Sequence, residues 1–260
     1  MGAMTSPLEV AVAAVARASR LALAVRAELT ADLVSDKGGD DPVTVGDWGV
    51  QAIICRALRI HDPTTPIIGE ENLDLLGEDN ATLATVTRLV CDIHPGTSST
   101  QVAEWISAGS ARAHEGRYWT VDPIDGTKGF VRGDQFAIAV ALVEDGRPIV
   151  GVLGCPAYQG GIVFAAESGK GATGNGTPIA VSGVTDPSQA RLTESVESWA
   201  DHSGHERIAK ALGMTRPSLR LDSQVKHGAI AAGHSDILLR LRTDVKYREK
   251  VWDHAAGTLI

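Results

Sequence analysis

The 260-residue sequence has few aromatic residues and no long apolar run, and each absence excludes a class of protein. Aromatic side chains make up only 4% of the chain, so the core must be built mostly from Ala, Val, Leu and Ile. No apolar stretch approaches the ~20 residues that a membrane-spanning helix needs, so we expect no membrane partner. The apolar fraction of 43% and the charged fraction of 22% are typical of globular proteins, which excludes a disordered or fibrous chain.

Cysteine is also scarce, and the three that occur are Cys55, Cys91 and Cys155. Their odd number and wide spacing exclude a disulfide framework and a CxxC metal knuckle. A reducing compartment is the simpler interpretation. Because no targeting signal is visible, we expect a cytoplasmic protein.

Basic residues are outnumbered, since 24 Lys and Arg against 32 Asp and Glu give a formal net charge of −8. A general basic field that coats DNA or RNA is therefore excluded, and no nucleic-acid polymer is expected as a partner. A small anionic molecule remains possible where metal ions or a few placed Lys and Arg invert the local charge.

The hydrophobic periodicity predicts an N-terminal part over residues 1–180 and a smaller C-terminal part over residues 181–260. The first part begins with predicted helices at about 8–29, 48–61 and 79–91 and a short strand at 66–71. From Arg117 the period changes to two, which predicts an antiparallel meander with strands at 118–121, 136–142, 148–154 and 161–166. In the second part strands at 192–196, 218–222 and 236–241 alternate with helices at 204–212 and 224–232. The polar segment between residues 100 and 117 has no period that predicts an element.

One glycine-rich segment, Gly169 to Gly174, fits the spacing GxGxxG but lacks the context of a dinucleotide site. That motif needs a strand before it and a helix after it. Here Pro178 and a predicted strand at 179–181 follow, so the segment is predicted to be a hairpin loop.

Four short acidic segments are the candidates for chemistry, because each carboxylate directly follows an apolar strand or opens a helix. They are Gly46-Asp47, Gly69-Glu70-Glu71, Asp122-Pro123-Ile124-Asp125-Gly126-Thr127 and Trp252-Asp253. Helix N-capping is an equally good explanation of Asp47 and Asp253, since helical residues follow both.

The central segment is harder to explain by capping, because Asp122 and Asp125 flank a Pro-containing turn that lets both side chains point to one side. Carboxylates ~4 Å apart repel by about 4 kcal/mol at an effective dielectric constant of ~20, so converging acids call for bound cations. Oxygen ligands of this kind suit Mg²⁺ or Mn²⁺ rather than Zn²⁺. Thr127 adds a hydroxyl beside the cluster, and Gly126 lets the backbone approach an anion.

These segments resemble the motifs of the lithium-sensitive, Mg²⁺-dependent inositol monophosphatase superfamily. The signature D-P-[IL]-D-G-[ST] is matched by residues 122–127, G-E-E by 69–71, and W-D-x-A-A-G by 252–257. Longer segments are similar to the branch of 3′(2′),5′-bisphosphate nucleotidases of the fungal and plant type. They are residues 42–47, 122–137, 221–226 and 250–257, and the likeness runs from about residue 8 to the last residue.

The resemblance implies an α+β fold of the layered α/β/α/β/α kind, with a mostly antiparallel N-terminal sheet and the active site between the two parts. It implies removal of the 3′-phosphate of 3′-phosphoadenosine 5′-phosphate, a by-product of sulfate assimilation. A bisphosphorylated nucleotide would be the partner, and a monomer is favoured. An inositol (poly)phosphate phosphatase is the runner-up, and a catalytically impaired nucleotide- or metal-binding homologue is the third alternative.

The resemblance also implies a role for each matching residue. Glu70, Asp122 and the Ile124 carbonyl would hold one Mg²⁺, and Asp122, Asp125 and Asp253 a second, with a third, weaker ion near Glu70; Mn²⁺ is possible. Asp47 and Thr127 would deprotonate the attacking water. Ser223, Lys226 and Arg240 would grip the nucleotide, Gly126 and Thr127 would contact the substrate, and His202 matches a further contact, for which His205 is the alternative.

Members of the superfamily normally continue for several tens of residues beyond the W-D-x-A-A-G motif, whereas this sequence stops at Ile260. The resemblance therefore leads us to expect either a fragment or a naturally abbreviated chain.

Overall fold

The computed structural model of the protein describes residues 5–29, 33–36, 42–73, 80–112, 115–197, 200–241 and 248–260. The N-terminal part begins with two long helices that pack against each other, α1 (Pro7–Ala27) and α2 (Val45–His61). Between them lies an antiparallel pair of short strands, β1 (Val34–Asp36) and β2 (Pro42–Thr44). Helices α3 (Asn80–Cys91) and α4 (Ser99–Ser107) pack beside α2.

A seven-stranded sheet forms the centre of the described structure, with its strands in the order β3-β4-β5-β6-β7-β8-β9. The strands are β3 (Ile67–Gly69), β4 (Arg117–Asp125), β5 (Ala137–Glu144), β6 (Arg147–Cys155), β7 (Ile162–Glu167), β8 (Ala172–Gly174) and β9 (Thr177–Pro178). Only the pair β3–β4 is parallel, and the remaining neighbours in this sheet are antiparallel. A short helix, α5 (Thr127–Arg132), connects β4 to β5.

The C-terminal part contains a three-stranded parallel sheet in the order β11-β10-β12. Its strands are β10 (Leu192–Ser195), β11 (Leu219–Leu221) and β12 (Ile237–Leu238), and its helices are α6 (His202–Ala211), α7 (Val225–Ala231) and α8 (Ala255–Leu259). A 3-10 turn, Val251–Asp253, precedes α8. No helix within the described ranges is both long enough and apolar enough to span a bilayer.

Both faces of the large sheet are buried, because alternate residues along each strand point to opposite faces. On one face Trp119, Ile138 and Val140 belong to the core that contains α1 and α2. On the other face Ala139 and Phe164 belong to a second core, which includes residues of α7 and α8. Helices from the C-terminal part therefore cover a face of the N-terminal sheet.

This architecture confirms the predicted α+β class, the layers of helices and sheets, and the mostly antiparallel N-terminal sheet. The GxGxxG segment comprises the turn after β7 and the whole of β8, and no helix follows it. It is therefore part of a hairpin, as predicted, although its last three residues form a strand and not a loop. The domain boundary near residue 180 stays a prediction.

Two local predictions were wrong, and one segment without a prediction contains a helix. That segment is the polar one between residues 100 and 117, which contains most of α4, whose start is fixed by a capping box between Ser98 and Gln101. Residues 122–125 are not a turn, because β4 continues through Asp125, and α5 follows immediately. Residues 179–181 do not form a strand, since the last pairing of the meander is at Thr177–Pro178.

Candidate active site

The pairing of β4 with β5 explains how Asp122 and Asp125 come to lie on one side of the sheet. Asp122 is opposite Ala139 and Asp125 is opposite Ala137, so three residues of β4 span two residues of β5. In a regular strand, residues three apart face opposite sides, but the extra residue of a bulge restores the alternation. Pro123, which lacks a backbone N–H to donate, lies within this irregular stretch.

Glu70 comes directly after β3, the strand that pairs in parallel with β4. Its backbone amide donates to the carbonyl of Val121 over 3.0 Å, which places it beside Asp122. The side chain of Gln51 on α2 holds the next residue, since its amide donates to the Glu71 carbonyl (2.6 Å) and its carbonyl accepts from the Glu71 N–H (2.9 Å). Gly69 is required here, because a Cβ would lie 2.5 Å from the Gln51 side-chain oxygen.

Asp253 reaches the same cluster from the turn before α8, and its carboxylate accepts a hydrogen bond from the Lys250 amide (2.7 Å). The N-cap alternative for Asp253 is therefore wrong, because Lys250 is at the N-cap position of the turn and Asp253 is its third residue. The same holds for α2, where Thr44 is the N-cap and Asp47 is the third residue of a capping box.

The pKa values show that the acids act on one another. Burial raises the pKa of Asp122 well above its usual range, and the charges of Glu70 and Asp125 raise it further. Burial raises the pKa of Asp125 to about 6, although the Lys226 charge opposes the shift. The pKa of Asp253 is also raised, first by burial and then by the Glu70 charge. Without a cation, some of these carboxylates would have to be protonated to reduce their mutual repulsion.

The donor set fits a hard divalent cation. Oδ1 of Asp122 is buried and has no hydrogen-bond partner within the part of the chain that the structure describes. Carboxylate oxygens and a backbone carbonyl are the ligands that Mg²⁺ and Mn²⁺ prefer. Among the described residues, no three of the four acids bring a ligand oxygen within 4.8 Å of one another, so a bound ion would draw them closer together.

The N-terminus of α2 packs against the end of β4. Gly46 is so close to Ile124 that a Cβ on this glycine would lie 3.2 Å from the Ile124 Cδ1. Asp47 Oδ2 accepts hydrogen bonds from the amide and the hydroxyl of Thr44, both over 2.8 Å. The Thr127 hydroxyl donates to the Ile124 carbonyl over 3.0 Å. The proton-accepting pair of Asp47 and Thr127 stays a prediction.

The segment at residues 221–226 lies against the acidic motif. Gly126 adopts a left-handed conformation (φ 88°), and a Cβ there would lie 2.9 Å from the Ser223 Cβ. Ser223 itself has a positive φ of 58°, an uncommon conformation for a residue with a side chain. Lys226 is buried, and its Nζ donates to the Leu221 carbonyl over 3.3 Å. Burial lowers the pKa of Lys226 to about 8, while the Asp125 charge opposes this shift.

Gln224, which no sequence pattern singled out, connects its own segment, residues 221–226, to the motifs at 122–127 and 252–257. Its backbone amide donates to Asp125 Oδ2 (2.6 Å), and its side-chain amide donates to the Trp252 carbonyl (2.9 Å). Its side-chain oxygen accepts from the Gly257 amide (3.1 Å). Its position in the 221–226 segment was the one available signal.

Arg240 and His202 are engaged by other groups. Arg240 pairs with Glu249 through its Nε (2.9 Å) and Nη2 (2.5 Å). The positive charge of Arg240 nevertheless reaches the site, because it lowers the pKa of both Lys226 and Asp253. His202 contacts Glu194 and the Glu197 carbonyl through its two ring nitrogens. The nucleotide contacts assigned to Arg240 and His202 stay predictions.

Comparisons of the sequence with known proteins all point to one family. The profile of the Inositol monophosphatase family matches residues 4–260. The chain is 37% identical to 3′(2′),5′-bisphosphate nucleotidase 1 of Candida albicans over 97% of this chain and 82% of that protein. It is 39% identical to the 3′(2′),5′-bisphosphate nucleotidase of Emericella nidulans, over 95% of this chain and 82% of that protein.

Solved structures show the same fold. The IMPase of Thermotoga maritima superposes with a TM-score of 0.68 at 26% identity, over 95% of this chain and 78% of that one. The extragenic suppressor protein suhB of Bartonella henselae also gives a TM-score of 0.68, at 23% identity, over 96% of this chain and 81% of that one.

Proposed function

Since the chain belongs to the inositol monophosphatase family, we propose that it is a 3′(2′),5′-bisphosphate nucleotidase that removes the 3′-phosphate of 3′-phosphoadenosine 5′-phosphate and leaves AMP. The relatives at 37% and 39% identity bear the name of this enzyme. The observation that carries the proposal is the hydrogen bond from Gln224 to Asp125, because it attaches the Lys226 segment directly to the buried acidic cluster.

The acidic cluster would hold two to three Mg²⁺ ions, with Mn²⁺ as a substitute. Glu70, Asp122 and the Ile124 carbonyl would hold one ion, and Asp122, Asp125 and Asp253 another. When bound, the ions acidify coordinated water and neutralise charge on the phosphate. The raised pKa values of Asp122 and Asp125 support this assignment, because a divalent cation would relieve the repulsion that causes part of them. Lithium sensitivity and a place in sulfate assimilation belong to the same proposal.

Asp47 and Thr127 would move the proton of the attacking water. A Thr hydroxyl is a weak base, so it can accept a proton only while passing its own to another acceptor. In the structure this hydroxyl donates to the Ile124 carbonyl, at the end of β4. Rotation of the Thr127 side chain toward Asp47 would make the carboxylate that acceptor. Thr44 would hold Asp47 in place through its two hydrogen bonds to Oδ2.

Lys226, Ser223 and Arg240 would bind the part of the substrate that is not cleaved, with Gly126 giving the phosphate access to the backbone. Lys226 is suited to an anion because its pKa of about 8 leaves it mostly protonated at neutral pH, while burial withdraws water from its ammonium. A bound phosphate would favour the charged ammonium and raise that pKa. The site would lie where residues 1–180 meet residues 181–260.

The test is phosphate release in Mg²⁺ from 3′-phosphoadenosine 5′-phosphate and from inositol 1-phosphate. We expect kcat/KM to be higher for the nucleotide. Lys226→Ala should lower kcat/KM for the nucleotide by about ten- to a hundredfold, the typical value of one charged hydrogen bond, and should affect inositol 1-phosphate far less. Lys210→Ala, on the exposed side of α6, is the matched control. A preference for inositol 1-phosphate would replace the proposal with the inositol phosphatase, and turnover of neither would indicate the impaired homologue.

A further inference from the structure

We propose that Glu194, His202 and His205 form a second metal site, one for Zn²⁺, that is separate from the acidic cluster. Within the described ranges, this is the one group of three His, Cys, Asp or Glu side chains whose ligand atoms all lie within 4.8 Å of one another. None of its three residues belongs to the acidic motifs, and the site replaces the substrate contact that the resemblance implies for His202 or His205.

The chain positions the three ligands on two adjacent elements. Glu194 is on β10, and His202 and His205 are three residues apart in the first turns of α6, so they share one face of the helix. Nδ1 of His202 lies 2.9 Å from Glu194 Oε2, and Nδ1 of His205 lies 3.7 Å from the same oxygen. Ligands of a tetrahedral Zn²⁺ with bonds of ~2.1 Å are ~3.4 Å apart, which is between these two separations.

Each ligand is also held from its far side, as ligands of metal sites usually are. Nε2 of His202 contacts the Glu197 carbonyl over 3.0 Å, and Nε2 of His205 contacts the Leu239 carbonyl over 3.0 Å. Since a carbonyl can only accept, both Nε2 atoms must carry the proton. The Ser218 hydroxyl donates a hydrogen bond to the Glu194 carboxylate. The protein thus orients both imidazoles with Nδ1 toward Glu194.

His205 supplies the independent evidence for a ligand. Its side chain is only 4% exposed, and its Nδ1 is buried with no hydrogen-bond partner among the residues that the structure describes. With the proton on Nε2, Nδ1 presents a lone pair toward the Glu194 carboxylate, which is also an acceptor. Two acceptors that face each other in a buried position need a positive charge between them, which a metal ion would supply.

The ligand types favour zinc over magnesium. Two imidazoles and one carboxylate are a common Zn²⁺ donor set, whereas Mg²⁺ takes oxygen ligands. His202 is the most exposed of the three, with a side-chain exposure of 23%, so a water can complete the coordination from its side. The alternative is a simple ion pair in which a doubly protonated His202 bridges Glu194 and the Glu197 carbonyl.

The experiment measures zinc bound to the folded chain by equilibrium dialysis in excess Mg²⁺, which is added to fill the acidic cluster. We expect one equivalent of Zn²⁺ in the wild type and in Asp122→Asn. Glu194→Gln and His202→Gln should bind roughly a hundredfold more weakly or worse, since even the loss of an outer partner costs about 10–100-fold. His61→Gln, on α2, is the matched histidine control and should bind as the wild type does. Cobalt bound at the same site should give the visible absorption of a tetrahedral ion.

The outcomes separate the zinc site from its alternatives, with circular dichroism showing that each variant is folded. Loss of zinc in Glu194→Gln and in His202→Gln, with retention in Asp122→Asn, supports the site. No zinc in the wild type would leave the ion pair and overturn it. Equal zinc in all variants would show that neither Glu194 nor His202 binds it, and loss only in Asp122→Asn would place the metal in the acidic cluster. Either result would overturn the site.

Discussion

The backbone amide of Gln224 donates to Oδ2 of Asp125 over 2.6 Å, across a sequence separation of 99 residues. The Gln224 side chain also hydrogen-bonds to Trp252 and Gly257. One buried residue therefore fixes the positions of three segments relative to one another: residues 122–127, 221–226 and 252–257. Gln224 is 2% exposed, so no water can replace a lost partner at little cost. It is a positioning residue, since its described contacts are with the site's residues.

The first prediction concerns Gln224→Glu, which keeps the size of the side chain but removes the donor to the Trp252 carbonyl. We expect a loss of about 1–3 kcal/mol in unfolding free energy, the typical cost of leaving a buried polar group unsatisfied. We also expect a lower kcat and a weaker apparent affinity for Mg²⁺, since the turn that carries Asp253 loses its bond from the Gln224 side chain to the Trp252 carbonyl. The backbone bond to Asp125 stays in place. Gln189→Glu, on the exposed surface, is the control. A Gln224 variant with unchanged Mg²⁺ dependence would mean that this residue is only structural.

The second prediction concerns Gly257, where α8 meets α7. A Cβ at this position would lie 2.6 Å from the His227 Cγ, so Gly257→Ala forces the two helices apart. Overpacking of this kind costs about 1–3 kcal/mol, which denaturant unfolding measures. Gly183→Ala is the matched control, because a Cβ there would meet no atom within 4 Å. Equal losses in the two variants would show that crowding is not the cause.

The third prediction is a pH dependence of stability at His227. Burial, followed by the nearby His254 charge, lowers the pKa of His227 to about 4 in the folded protein. The group binds its proton more readily when unfolded, with a pKa near 6.5, so stability is full above that value and falls as the pH drops from ~6.5 toward 4. His227→Gln should remove this part of the pH dependence. Parallel stability curves for the variant and the wild type would contradict it.

The fourth prediction tests the pairing of Asp47 with Thr127. Thr127→Ala and Asp47→Asn should each lower kcat with little change in KM, the pattern of an interaction made only in the transition state. The double variant should cost about as much as either single change, because the two residues act as a unit. Fully additive losses would mean that they act separately.

The sequence alone predicted the antiparallel meander and the acidic candidate residues, because both depend on local patterns. Alternation in β5 and β6 is visible in any short window, and the motif at 122–127 is continuous. The bulge in β4 was not predictable, since a Pro between two Asp residues is equally typical of a turn. The roles of Gln224 and of Glu194 with His205 depend on contacts between segments that are distant in the sequence. Local hydrophobic periodicity carries no information about such contacts.

The most direct test of the account is phosphate release from 3′-phosphoadenosine 5′-phosphate by Asp122→Asn, measured over a Mg²⁺ titration beside the wild type. The charges of Glu70, Asp125 and Asp253 all raise the pKa of Asp122. We propose that Asp122 bridges two ions. The account predicts that chelation abolishes wild-type turnover, that Mg²⁺ restores it, and that Asp122→Asn stays inactive at every Mg²⁺ concentration while remaining folded. Near-normal turnover by the variant would contradict the metal-dependent mechanism.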